Sequence, residues 1–158
     1  MAKKKKIKLA RPLNDDNSYE GHQKIIIIDG HKLKHVTCRD IGGVRPKYIG
    51  RNYVIKLEDG WNQTINEIKV YKKLRQYDRK FFPKFLSFSK KDGFIIQERI
   101  QFKKRTTIGR KERNRAAQIV ERLIKRYGLN GDIESDTLRN WGIRKDGRPV
   151  IFDFGIVG

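Results

Sequence analysis

The chain has 158 residues, enough for one domain or for two small lobes sharing a cleft, and carries 38 Lys and Arg against 18 Asp and Glu. Its formal net charge of +20 draws it toward polyanions, nucleic acid and ribosomes among them, unless the charge only solvates a basic surface. No apolar run is long enough to span a bilayer, the N-terminus lacks the apolar core of a signal peptide, and the lone Cys38 excludes an internal disulfide, so a reducing, cytoplasmic setting is expected.

Residues 1–20 hold a lysine block and a polar stretch, and read as a flexible basic tail or a nucleic-acid-binding arm. Ile25 to Ile28 reads as a buried strand, Asp29-Gly30 as a hairpin turn, and Lys32 to Cys38 as the alternating return strand. "RDIGGVRPKYIG" reads as a loop, and "NYVIKLED" as a further strand closed by Asp59-Gly60. In "TINEIKVYKKLRQY", Ile65, Ile68, Tyr71 and Leu74 fall at helical spacing, and Thr64 with Glu67 fits a capping box.

"FFPKFLSFSKKDGFIIQERI" reads as two strands joined at Asp92-Gly93. After a polar connector, a second helix is expected from about Arg110 to Tyr127. Its apolar stripe is Ala116, Ala117, Val120, Leu123, Ile124 and Tyr127, and Gly128 stops it. An acid-rich loop, "LNGDIESDTLRNWGI", leads into a final hairpin that turns at Asp146-Gly147. The order of elements predicts an α+β fold with a mostly antiparallel sheet: a tail over 1–20, a sheet-and-helix lobe over 21–100, and a smaller lobe over 101–158.

Lys56 sits in an apolar strand and either points to solvent or pairs with Glu67 on the following helix; Glu67 itself either pairs so or completes the capping box. Asn140 lies thirteen positions before Asp153, and the hairpin between them would bring the two side chains close. An amide oxygen beside a carboxylate makes a hard site suited to Mg²⁺, which keeps waters and takes further ligands from substrate phosphates. A lysine held by a glutamate supplies positive charge for the same phosphates. These are the parts of a phosphoryl-transfer site.

In this order the motifs resemble those of the protein-kinase-like superfamily, over residues 25 to 158. "YVIKLE" resembles the V-A-I-K strand, "NEIKVYKKL" the helix whose glutamate meets that lysine, and "NWGI" with "VIFDFG" the metal-binding asparagine and the D-F-G motif. The resemblance implies an antiparallel N-lobe with one helix and a reduced C-lobe. It implies ATP and Mg²⁺ as cofactors, Lys56 and Glu67 on the phosphates, and Asn140 and Asp153 on the metal. "GFIIQERI" resembles the strand entering the hinge, so Glu98 and Ile100 would hold the adenine through their backbones, with Gln97 at its back.

Two departures bear on activity. No G-x-G-x-x-G precedes the lysine strand, and the position five before Asn140, where the family keeps its catalytic aspartate, is Ser135. Asp132 or Asp136 would have to serve. The sequence ends three residues after Gly155, so a minimal fold, a completing protein partner or an inactive nucleotide-binding scaffold is expected. Three functions remain open at this point: an ATP-dependent phosphotransferase with an unknown acceptor, a catalytically inactive nucleotide binder, and a basic nucleic-acid- or ribosome-binding protein.

Overall fold

The computed structural model describes residues 7–8, 25–28, 31–36, 47–58, 62–91, 93–129, 133–134 and 138–155. They form an α+β protein that divides into two compact units. One comprises the residues up to Thr64 with Phe85–Arg99; the other comprises Ile65–Lys84 and Ile100–Gly158. No helix among the described residues is long and apolar enough to cross a membrane.

The first unit is a seven-stranded sheet built from β1 (Ile7–Lys8), β2 (Ile25–Ile28), β3 (His31–Val36), β4 (Lys47–Ile49), β5 (Tyr53–Leu57), β6 (Phe85–Ser89) and β7 (Phe94–Glu98). The strands lie in the order β1-β2-β3-β4-β5-β7-β6 and every pairing is antiparallel. β-Branched residues fill the centre, where Ile55, Ile95 and Ile96 are fully buried. Each such side chain contributes about 1.5–3 kcal/mol by leaving water.

One strand corrects the sequence reading. Residues 47–49, expected in a loop, pair with β3 on one side and β5 on the other. The hairpin they make with β5 closes through Gly50 N–H donating to the Tyr53 carbonyl at 2.9 Å.

Gly93 joins β6 to β7 with φ +67, a left-handed conformation that glycine adopts without steric cost. A Cβ there would also lie 2.8 Å from the Glu58 Cβ, so both the turn and the close approach require glycine. Glu58 is held by its own N–H donating to the Gly93 carbonyl at 2.8 Å. Its carboxylate then accepts the N–H groups of Asn62 (2.9 Å) and Thr64 (3.1 Å), which opens α1 (Gln63–Lys73). Helix N-termini leave unpaired donors and favour negative charge, and Glu58 supplies both needs. Thr64 is therefore already inside the helix, two positions past the N-cap place a capping box assigns it.

The second unit packs α1 and α2 (Arg110–Tyr127) with a two-stranded hairpin, β8 (Trp141–Ile143) and β9 (Pro149–Ile151). α2 lays its stripe of Ala116, Val120 and Leu123 inward, and it contacts β9. It ends at Gly128, whose φ of 64° lets its N–H reach back to the Ile124 carbonyl. α1 stops at Lys73, and a 3-10 helix over Gln76–Phe81 follows.

That 3-10 helix turns Asp78 into the interior. Its Oδ2 accepts from the Tyr127 hydroxyl at 2.5 Å and from Arg126 Nη1 at 2.9 Å. The same tyrosine oxygen accepts the Arg75 N–H at 3.0 Å. Phe82 packs edge-on against Tyr127 and Phe154, with ring centroids 6.3 Å and 5.0 Å away.

Candidate functional site

The hairpin of the second unit is what positions Asn140 and Asp153. Its turn is closed by Arg144 N–H to the Arg148 carbonyl (2.8 Å) and Gly147 N–H to the Arg144 carbonyl (2.9 Å), with Gly147 at φ 91°. The register pairs Trp141 with Ile151, and the ladder gains one more rung where Phe152 N–H donates to the Asn140 carbonyl at 3.1 Å. Asp153 is the next residue. The two predicted metal ligands thus leave the same end of one hairpin.

Helix α1 grips the segment just beyond. Glu67 is fully buried, and its Oε1 accepts the Phe154 N–H at 3.3 Å. Asn66 Nδ2 donates to the Gly155 carbonyl at 3.0 Å. One turn of helix therefore fixes the backbone on the C-terminal side of Asp153, and the Asn140 bond to Phe152 fixes the N-terminal side. Asp153 itself is half-buried and Asn140 is 7% exposed.

The chain into β8 is strained. Leu138 has φ 57° and Asn140 has φ 61°. Asparagine tolerates this region, but for leucine it costs on the order of 1–3 kcal/mol, and such residues persist where their surroundings over-determine them. Here Leu138 is buried and its carbonyl accepts from Arg105 Nη2 at 3.2 Å. Trp141 Nε1 donates to the Glu134 carbonyl at 2.8 Å. A cavity of about 180 Å³ opens beside this loop, lined by Phe102, Leu138, Trp141 and Phe152, with Lys103 and Arg105 contributing charge. Phe102 presses on Gly142 so closely that a Cβ there would lie 2.6 Å from the ring.

In the first unit, Lys56 does not point to solvent: only 2% of it is exposed. It lies on β5 opposite Ile95, three rungs from the Tyr53–Glu98 pair at the end of β7. Glu98 is half-buried, and the next residue, Arg99, pins the strand end through its N–H to the Asn52 carbonyl (3.0 Å) and Nη1 to the Gly50 carbonyl (2.9 Å). Gln97 is buried, and its Oε1 has no hydrogen-bond partner. Ile100, half-buried, begins the second unit's next stretch. Asp132 and Asp136 lie outside the described residues.

The donor set fits Mg²⁺ in kind. An amide oxygen and a carboxylate are hard ligands, and Mg²⁺ is held by one or two such groups together with waters and substrate phosphates rather than by a full protein cage. No group of three or more His, Cys, Asp or Glu side chains able to hold a metal occurs among the described residues.

Lys47, which the sequence reading placed in a loop, pairs with Lys56 across β4 and β5. A scan against protein-family models finds no match for this chain, and a search of the curated proteins finds none either.

Proposed function

We propose that the chain is an ATP-dependent phosphotransferase of protein-kinase-like type that works on ATP with Mg²⁺. The observation that carries this reading is the double clamp on Asp153. The Asn140 carbonyl holds Phe152 on one side, and Glu67 holds the Phe154 amide on the other. A metal-binding carboxylate needs a fixed backbone and a neighbouring hard donor, and this segment has both. Lys56, 2% exposed on the strand beside the one that ends at Glu98, agrees with the same reading.

ATP with Mg²⁺ would bring the transferable phosphoryl group and the charge that activates it. Lys56 neutralises phosphate oxygens, and Asn140 and Asp153 offer oxygen ligands to the metal. Glu67 acts as a positioning residue through the Phe154 amide, and the backbone of Glu98 and Ile100 reads the adenine. Asp132 or Asp136 orients the acceptor hydroxyl.

A second reading, nucleotide binding without transfer, is favoured by Ser135 standing five positions before Asn140. Purified protein incubated with γ-labelled ATP, Mg²⁺ and broad acceptors decides between them. Label transfer that disappears in Asp153→Ala supports the enzyme. A thermal shift with ATP and Mg²⁺ but no transfer supports the inactive binder; at a hundredfold excess over Kd that shift corresponds to about 2.7 kcal/mol. Neither shift nor transfer overturns both.

A further inference from the structure

Between Lys69 and Lys84 the only acidic residue is Asp78, and it is 0% exposed, turned inward to Tyr127 and Arg126. Every charge that this stretch shows to solvent is therefore positive. The inward turn of Asp78 also brings the last turn of α2 alongside, through Arg126 Nη1 at 2.9 Å. Arg122, one turn earlier on that helix, is exposed and near enough for its charge to act on Asp78. Glu121, the acid at this end of α2, is occupied by Lys125 at 3.5 Å.

Tyr77, the residue before Asp78, stays in solvent. At 66% it is more exposed than any other large apolar side chain among the described residues. Lys80 Nζ lies over its ring, 4.2 Å from the centroid, and Phe81 meets it edge-on at 6.4 Å. The Arg79 guanidinium lies over the Tyr71 ring at 5.4 Å. Cations held against rings beside an open aromatic face are the parts of a strand-binding platform, in which the cations follow phosphates and a base stacks on the ring. The ring decides among polyanions. A duplex hides the faces of its bases, and an acidic protein segment has no base to stack.

We propose that Tyr77, with Arg75, Arg79, Lys80 and Arg122, forms a binding surface for single-stranded nucleic acid. A base stacks on Tyr77 and the cations take the neighbouring phosphates. The net charge of +20 draws the strand in, and the ring sorts it from other polyanions. This inference goes beyond the nucleotide reading and uses none of its residues, so either can fail without the other.

The test is equilibrium binding to the full-length chain, followed by fluorescence anisotropy across a salt series. The ligands are a U-rich RNA and a T-rich DNA of about 12 nucleotides, the order of length such surfaces cover, a duplex of the same length, and heparin. The single strands should bind more tightly than the duplex. Tyr77→Ala should weaken the single strands by about tenfold, the loss of one stacked base, and leave heparin unaltered. Tyr77→Trp should retain the affinity. Arg79→Gln with Arg122→Gln should lower the slope of log K against log salt by about 1.4, two phosphate contacts at about 0.7 each. Lys90→Gln, at an exposed lysine after β6, should keep the parent's preference for single strands over the duplex.

Binding of either single strand in this pattern supports the proposal, and the ratio of the two affinities tells RNA from DNA. The proposal falls if neither strand binds at low salt, or if the duplex binds as tightly as the single strands. It falls equally if Tyr77→Ala matches the parent, if Tyr77→Ala weakens heparin as much as RNA, or if the salt slope of the double arginine variant is unchanged. Should Tyr77→Ala fail to fold, Tyr77→Leu, which keeps apolar bulk and removes the aromatic face, is measured against the same outcomes.

Discussion

The backbone N–H of Phe154 meets the carboxylate of Glu67 at 3.3 Å, across 87 residues of sequence and fully inside the protein. A buried amide that loses its acceptor costs about 1–3 kcal/mol. Glu67→Ala should therefore lower unfolding free energy by about 2 kcal/mol, seen as a lower midpoint in urea at unchanged slope. Glu67→Gln keeps an acceptor oxygen and should cost less than half as much. Equal losses in the two variants would show that the carboxylate's charge, not this bond, is what matters.

Asn140 can be removed without disturbing the backbone it needs. Its φ of 61° is one that glycine adopts freely, so Asn140→Gly should change stability by under about 1 kcal/mol. The same variant removes a proposed metal ligand and should abolish the extra thermal shift that Mg²⁺ adds to ATP. A full shift in Asn140→Gly would remove Asn140 from the ligand set.

The Asp78 cluster sets an acid and an alkaline limit on stability. Burial pushes the Asp78 carboxyl up, but the bonds from Tyr127 and Arg126 and the charges of Arg126 and Arg122 outweigh it and hold it below its ordinary 3.8. A depressed carboxyl stabilises the fold above its unfolded pKa, and that stability is lost as pH falls from about 3.8 through the folded value. Tyr127 is raised above its ordinary 10.0, by burial first and by Asp78 second. Its contribution is present below that pH and is lost as pH rises beyond it. Tyr127→Phe should cost about 2 kcal/mol at neutral pH, the value of a hydrogen bond to a charged group, and should flatten both limbs of a urea-midpoint profile against pH. A parallel downward shift with both limbs intact would place the titration elsewhere.

Gly142 is a point of close approach in the hairpin. A methyl group there would lie 2.6 Å from the Phe102 ring, so Gly142→Ala should cost about 1–3 kcal/mol by overpacking. Phe102→Leu removes the obstructing ring edge. In the double variant the two losses should total less than their sum, by 1 kcal/mol or more, in a thermodynamic cycle from urea unfolding. Strict additivity would mean that the ring moves aside at no cost.

The sequence was most readable where one local signal decides the structure. α2 spans Arg110–Tyr127 as its apolar spacing and Gly128 predict, and the last hairpin turns at Gly147. β4 was hidden because three residues between Pro46 and Gly50 are too few for alternation to show; its strand geometry is imposed by β3 and β5. The helical spacing in "TINEIKVYKKLRQY" marks no end for α1, which stops at Lys73; Arg75 is drawn into an extended conformation (φ −64°, ψ 147°) and gives its N–H to Tyr127, 52 residues away. Nothing local encodes that partner. The true cap of α1 was missed for a related reason: Glu58 reaches Thr64 from six residues upstream, beyond the window in which capping patterns are sought.

In the site, the hairpin alone sufficed to bring Asn140 and Asp153 to one end. Burial of Lys56 and its opposition to Lys47 depend on strand pairing, which spacing along the chain does not reveal.

Because Glu58 stands two positions after Lys56, the helix-opening carboxylate and the buried ammonium share one side of the same ribbon. A mispairing of that ribbon by a single step would swing both away together, stranding the first turn of α1 just as it misdirected the lysine. The start of the helix thus proofreads the alignment of the strand, and a chain folded with the lysine out of place would also be a chain with a frayed helix.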